Sequence, residues 1–361
     1  MAVTPPESLW TVAGFTVARP IVDDRAVYIF GEHVVSAFDK LTGTSLWTTT
    51  LPDGPSDRLG YGTGIAGGLL IIGDIDVYGL DRASGAIRWT FAPRSNFPNE
   101  RSFHRLATDG TTVYVGGVWG NVYAVDGSTG AERWVAHVTT LADSNIRVFD
   151  PVVQNDTVYV AYDDTPPGTL DDNGGAAAFV ASSGRLVWSS LLPHHFNGPT
   201  ETRSIVLTPT RAVTGTLDGF LYGLDRATGI VRDTISQTVF GFASGTSQAT
   251  VFALATVGDS IVLAGTDDGN VTAFDMRNLK SASWQLSFGG SPQDLVVDGN
   301  TAYLDYGSTL IGALSIPTHK ILWTFGPKLT PTAEEFLAAP AVDGERLYVG
   351  SDKHIYALRH P

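Results

Sequence analysis

The chain has 361 residues, 43% of them apolar and only 17% charged, with a formal net charge of -14. That apolar content excludes an unfolded chain, and the acidic balance disfavours the Lys/Arg footprint that nucleic acid or an anionic membrane surface requires. There is no cysteine, so disulfides, thiol nucleophiles and Cys-ligated zinc are excluded. No apolar run approaches the length of about 18 residues that reads as a transmembrane helix. The N-terminus, MAVTPPESLW, lacks the basic-then-apolar pattern of a signal peptide. It leads almost directly into a strand, which predicts an extracytoplasmic protein whose signal or lipid anchor is absent from this sequence.

The first strand signal is Ser8, Leu9 and Trp10. From Pro20, PIVDDRAVYIFG reads as a strand, a turn at the aspartates and a second strand. It runs into VSAFDKLTGTSLW, residues 35–47, with Asp39, Gly43 and Trp47 at fixed places. The phrase returns at residues 77–89 with Asp81, Gly85 and Trp89, and at 122–134 with Asp126, Gly130 and Trp134. In the fourth copy Val180 takes the Asp place and Trp188 ends the unit. The fifth, LYGLDRATGIVRD, keeps Asp225 and Gly229 but has Asp233 in the Trp place. Asp275 and Trp284 mark the sixth copy, Ser315 and Trp323 the seventh. The eighth, IYALRHP, has Arg359 in the Asp place and stops before its Trp; the missing end is SLW at Trp10.

Four strands recurring roughly every 45 residues, with no amphipathic helix between them, predict a β-propeller. The fold class is all-β: eight four-stranded antiparallel blades in one domain, residues 1–361, with the last blade completed by residues near 8–12. Pairing of the N- and C-terminal strands then closes the ring and removes its exposed edges. The repeat residues have structural work to do. Asp126 and Thr129 accept amides of the following turn, Gly130 supplies positive φ, and the Trp covers the flank between blades.

The signature A-x-D-x-x-T-G-x-x-x-W resembles the PQQ-like repeat of quinoprotein-type propellers along essentially the whole chain. Within that class the chain is most similar to the small eight-bladed BamB family, lipoprotein scaffolds of the bacterial outer-membrane β-barrel assembly machinery. The resemblance implies a monomeric, non-catalytic, periplasmic scaffold for protein–protein interactions, with a partner in the β-barrel assembly complex. A lipoprotein needs an N-terminal Cys, which is absent here. The resemblance leaves two alternatives: a propeller binding a small ligand or quinone in its channel, or a sensor ectodomain of a membrane protein. Pyrroloquinoline quinone is disfavoured, because dehydrogenases of the class are longer and many carry an adjacent Cys pair. No cofactor is therefore expected. The motif search points the same way, with no G-x-S-x-G, H-E-x-x-H or phosphate loop.

Function is expected in the connections between strands. Residues 163–175, DDTPPGTLDDNGG, enlarge the fourth unit. Asp163, Asp171 and Asp172 are oxygen ligands of the kind calcium takes, but the D-x-D-x-D-G order is missing. A solvated acidic tip is the expectation there and a calcium site the alternative. Arg105, Arg147 and Arg203 fall near the starts of inner strands, with Phe149, His194 and Phe196 nearby in sequence. Arg beside exposed aromatics resembles the anchor set of a protein interface. This set is the candidate partner-binding site, and local ion pairs to Asp150 or Glu201 are the alternative. The carboxylates of Asp74 and Asp76 read as ordinary hairpin residues.

Overall fold

Among the described residues, thirty-two strands assemble, four at a time, into eight antiparallel sheets. The computed structural model describes residues 5–31, 33–52, 62–93, 106–139, 145–165, 173–193, 202–235, 250–276, 282–306, 309–326 and 334–359, none of them helical. Blades 1 to 7 span residues 21–50, 62–91, 106–137, 145–191, 202–235, 251–287 and 295–325. Blade 8 takes three strands from residues 341–359 and its outermost from Glu7–Ala13. First strands of successive blades pack against one another, which places them around the axis.

Burial follows strand position. The second strand of blade 1, Ala26–Gly31, is buried at every residue, and Val35 to Phe38 of the third are buried too. Neighbouring blades cover both faces of these strands, so their sequences are continuously apolar instead of alternating. The outermost strand, Ser45–Thr50, has one face toward solvent and lacks that continuity.

The small residue of the repeat lies directly across from the Trp. The pairs are Ala37 with Trp47, Gly79 with Trp89, Ala124 with Trp134, Ala178 with Trp188, Ala273 with Trp284, Ala313 with Trp323 and Ala357 with Trp10. A β-bulge follows the small residue in each of blades 1 to 7. At Gly79 an added Cβ would sit 2.2 Å from Cε2 of Trp89, so the indole occupies the space a side chain would need.

In blades 1 to 4 the Trp also reaches forward to the next blade. The indole N–H of Trp47 donates to the Arg82 carbonyl at 2.9 Å, and those of Trp89, Trp134 and Trp188 donate to Gly127, Ala181 and Arg226 at 3.1, 2.8 and 2.9 Å. In every case the acceptor is the residue after the aligned Asp position. The ring closes in the same way, with Trp10 of blade 8 donating to Lys40 of blade 1 at 3.2 Å. That carbonyl also accepts Tyr348 Oη at 3.0 Å and Arg346 Nη1 at 3.2 Å, and Lys40 Nζ lies 2.8 Å from Asp343. In blade 7, His319 takes the turn-glycine place with φ 54°, and Trp284 stacks on it at 4.7 Å between ring centroids.

The turn itself is built as its residues imply. Asp126 Oδ1 accepts the amides of Ser128 and Thr129 and both their hydroxyls, and Gly130 has φ 72°. The Ser128 hydroxyl first, then the Arg133 guanidinium, hold the Asp126 carboxyl far below the usual carboxylate range. Blade 4 has no Asp at position 180. Asp156, from the preceding hairpin and at φ 54°, replaces it by accepting the Ser182 amide at 2.9 Å and hydroxyl at 3.1 Å. No spacing within the repeat signals that substitution.

Candidate functional site

Blade 4 extends beyond its neighbours at the end where its inner strand begins. Its first three strands are Asn145–Gln154, Thr157–Thr165 and Asn173–Val180, and the ladder continues out to Asn145 opposite Thr165 and Asp164 opposite Asn173. Residues 163–165 and 173–175 of the inserted acidic segment are therefore strand. Bulging between Phe149 and Val152, with Asp150 at φ 27°, bends the inner strand where it rejoins the ring.

The extension contains a buried ion pair. Asp163 is fully buried; its Oδ1 accepts the Arg147 amide at 2.9 Å and its Oδ2 accepts the Arg147 guanidinium. The guanidinium lies over the Phe149 ring, 5.7 Å from the centroid, and the Arg147 side chain remains 32% exposed. Thr202, at the start of blade 5, donates its hydroxyl to the Tyr162 carbonyl at 2.9 Å and the Gly175 carbonyl at 3.1 Å. The neighbouring blade thus covers the face carrying Asp163.

Three expectations are corrected here. Asp163 and Asp164, 0% and 8% exposed, are not part of a solvated acidic tip, and Asp163 serves as the counter-ion of Arg147, which argues against a calcium-ligand role for it. The tip reading failed because the neighbouring blade, distant in sequence, supplies the cover. Phe149 is 7% exposed, so it supports the Arg from beneath and is not an exposed anchor. Asp74 and Asp76 are likewise more than surface hairpin carboxylates: they are 2% and 5% exposed, and Asp74 Oδ2 lies 3.3 Å from His33 Nδ1.

Of the other candidates, Arg203 lies on the innermost strand of blade 5, Thr202–Leu207. Arg105, His194, Phe196, Asp171 and Asp172 lie outside the described residues. The structure therefore brings Arg147 and Phe149 together and sets the strand bearing Arg203 in the next blade. Among the described residues no group of three or more His, Asp or Glu side chains could hold a metal ion.

The Arg147–Asp163 pair gives a direct prediction. Arg147→Ala strands a buried carboxylate and should cost about 2–4 kcal/mol, at the low end because the Arg is partly solvated. Arg147→Ala combined with Asp163→Asn should recover most of that loss. Urea unfolding of the two variants checks it; equal stabilities would show that the pair does not hold the extension.

The turns of blades 5 and 6 use their acids internally. Thr216 donates its hydroxyl to Asp218, and Thr266 donates its hydroxyl to Asp268, which also receives the Asn270 side-chain amide. At blade 8, Glu334 receives Ser351 Oγ, Tyr356 Oη and His354 Nδ1, all at 2.7 Å. Burial raises its carboxyl, but the Ser351 and Tyr356 hydroxyls and His354 outweigh that and leave it below the ordinary value.

Eight blades of this repeat, seven of them carrying its Trp, define the class of protein, an eight-bladed propeller of PQQ-like type. The family model described as outer membrane protein assembly factor BamB matches residues 31–100 and 73–325, and the chain belongs to that family. The outer membrane protein assembly factor BamB of Bordetella pertussis (strain Tohama I) is 25% identical over 244 residues, 67% of this chain and 58% of that protein. The serine/threonine-protein kinase AfsK of Streptomyces griseus is 30% identical over 152 residues, 39% of this chain and 18% of the kinase. The chain thus spans less than two thirds of either relative. Among solved structures, BamB from Moraxella catarrhalis superposes with TM-score 0.59 at 20% identity, covering 84% of this chain and 88% of that one. Quinohemoprotein alcohol dehydrogenase from Comamonas testosteroni gives TM-score 0.71 at 16% identity, covering 98% and 76%. These structural likenesses show the fold alone. No helix among the described residues is long and apolar enough to cross a membrane.

Proposed function

We propose that the ring is a non-catalytic, BamB-like scaffold that docks a protein of the cell envelope and serves outer-membrane protein assembly. The observation that carries this reading is the family match across residues 31–325. The blade 4 extension supports a docking role, since its hydrogen-bonded ladder holds a partly exposed Arg147 in place. Rigid display lowers the ordering cost of binding. The partner lies in the β-barrel assembly complex, and the working compartment is the periplasm.

Affinity purification of the chain from native envelope extract, with mass spectrometry of the retained proteins, tests the reading. Retention of a β-barrel assembly protein is the expected result. Arg203→Ala, and Arg147→Ala paired with Asp163→Asn so that no charge is stranded, should each weaken retention while leaving the ring folded. Undiminished retention by both variants would move the docking face elsewhere. An empty eluate after mild crosslinking would overturn the scaffold reading. A rise in melting temperature on adding pyrroloquinoline quinone and calcium would then favour a channel ligand.

A further inference from the structure

Blades 7, 8 and 1 are tied together by one buried carboxylate. Asp294 precedes the first strand of blade 7 and is 4% exposed. It accepts a fork from Arg19, with Nη2 at 2.5 Å from Oδ1 and Nε at 3.2 Å from Oδ2, and Oδ2 also accepts the Ala339 amide at 3.0 Å. Arg19 leads into blade 1 and Ala339 into blade 8. Asp294 therefore spans the closing blade at the inner strand entrances, while Trp10 and Lys40 close the ring between blades 8 and 1.

A second carboxylate lies against this clasp. Asp305, in the second strand of blade 7, is fully buried, and its Oδ1 accepts the amides of Gln293 at 3.1 Å and Asp294 at 2.7 Å. Its Oδ2 is buried without a hydrogen-bond partner among the described residues. Were both acids ionised, two buried negative charges would share the single positive charge of Arg19, which is itself partly exposed, an arrangement that burial of the carboxylates penalises.

We propose that a proton held on Asp305 keeps this three-blade clasp shut, and that its loss as pH rises toward neutrality loosens the ring at blade 8. The facing groups are Asp294 from blade 7 and, through it, Arg19 from the entrance to blade 1. Blade 8 contributes the Ala339 amide, and its nearby acid, Glu334, is bonded to Ser351, His354 and Tyr356. Burial first, then the Asp294 charge, push the Asp305 carboxyl up to about 7 against the pull of the two backbone amides. The folded value lies above the ordinary one. The proton's contribution is therefore complete below the unfolded value and is lost as pH rises through about 7.

Amide hydrogen exchange of the full chain across a pH series tests the proposal. After correction for intrinsic exchange, the amides of Asp294, Leu295 and Ala339 should lose protection by up to roughly tenfold per pH unit between the ordinary carboxylate range and about 7, and no further above it. Those of blade 3 should not. Asp305→Asn keeps the Oδ1 acceptor and removes the charge, so it should abolish the extra loss and flatten the fall in melting temperature between the ordinary carboxylate range and about pH 7. An unchanged pH dependence in Asp305→Asn, or a loss spread evenly over all blades, would overturn the proposal. If that variant does not fold, carboxyl NMR of the wild-type chain decides. Titration of Asp305 near neutrality supports the clasp, and titration in the ordinary carboxylate range overturns it.

Discussion

Removing residues 1–13 should open the ring. The deleted strand pairs with the last strand of the chain from Glu7 opposite Arg359 to Ala13 opposite His354. Without it, blade 8 keeps three strands and presents a bare edge. Leu9, Trp10 and Val12 also leave a core that includes Val27, Ile29, Phe38, Tyr348 and Ile355. Trp10 alone stacks on Tyr348 at 5.9 Å, donates to Lys40 and lies against Gly43 of blade 1. Losing a large aromatic from a packed site costs about 3–5 kcal/mol, and the lost ladder and two further apolar side chains add to it. The melting temperature should fall by on the order of 10 °C or more, with aggregation through the new edge. Scanning calorimetry measures the fall. A peptide of residues 1–13 added in trans should recover part of it, because the vacated edge is a template for that strand. A truncated chain that melts with the full-length one would show that the terminal strand does not close the ring.

That closure was legible in the sequence because each unit solves the same burial problem with the same residues. A unit lacking its Trp, and a stray SLW at the far terminus, can be matched without coordinates. Aspartates followed by Thr-Gly or Ser-Gly announced their turns in the same way. What stayed hidden depends on contacts between units. Asp156 replaces the missing Asp of blade 4 from a different turn, so alignment at position 180 shows only a gap. The burial of Asp163 depends on cover from Thr202 in the next blade, and its charge and flanking residues read as solvent-facing. Arg19 and Asp294 lie 275 residues apart in the chain, and only ring closure brings them together. The candidate anchors were placed by proximity to inner strands. Arg147 does lie on the inner strand of blade 4, but that rule could not reveal that Phe149 beneath it is covered.

Trp89→Ala should be the most costly single substitution in the seam between blades 2 and 3. Trp89 is 9% exposed and packs in a cluster with Ile71, Phe91, Val113 and Tyr123. Its indole N–H satisfies the Gly127 carbonyl, and its ring lies against Gly130 of blade 3. Truncation should cost about 3–5 kcal/mol, read as a lower urea midpoint. The turn glycine offers an internal control. A Cβ at Gly130 would come within 2.7 Å of Trp89 Cδ2, at a φ of 72°. Gly130→Ala therefore combines a clash with left-handed strain, together about 2–3 kcal/mol. In the Trp89→Ala background the clash disappears and only the strain, about 1 kcal/mol, remains. The double variant should be more stable than additivity predicts by about 1–2 kcal/mol. That coupling separates a seam held by contact between indole and glycine from one in which each residue stabilises only its own blade. Strict additivity would mean that the two blades do not meet through this pair, and the repeated Trp and Gly would then need separate explanations.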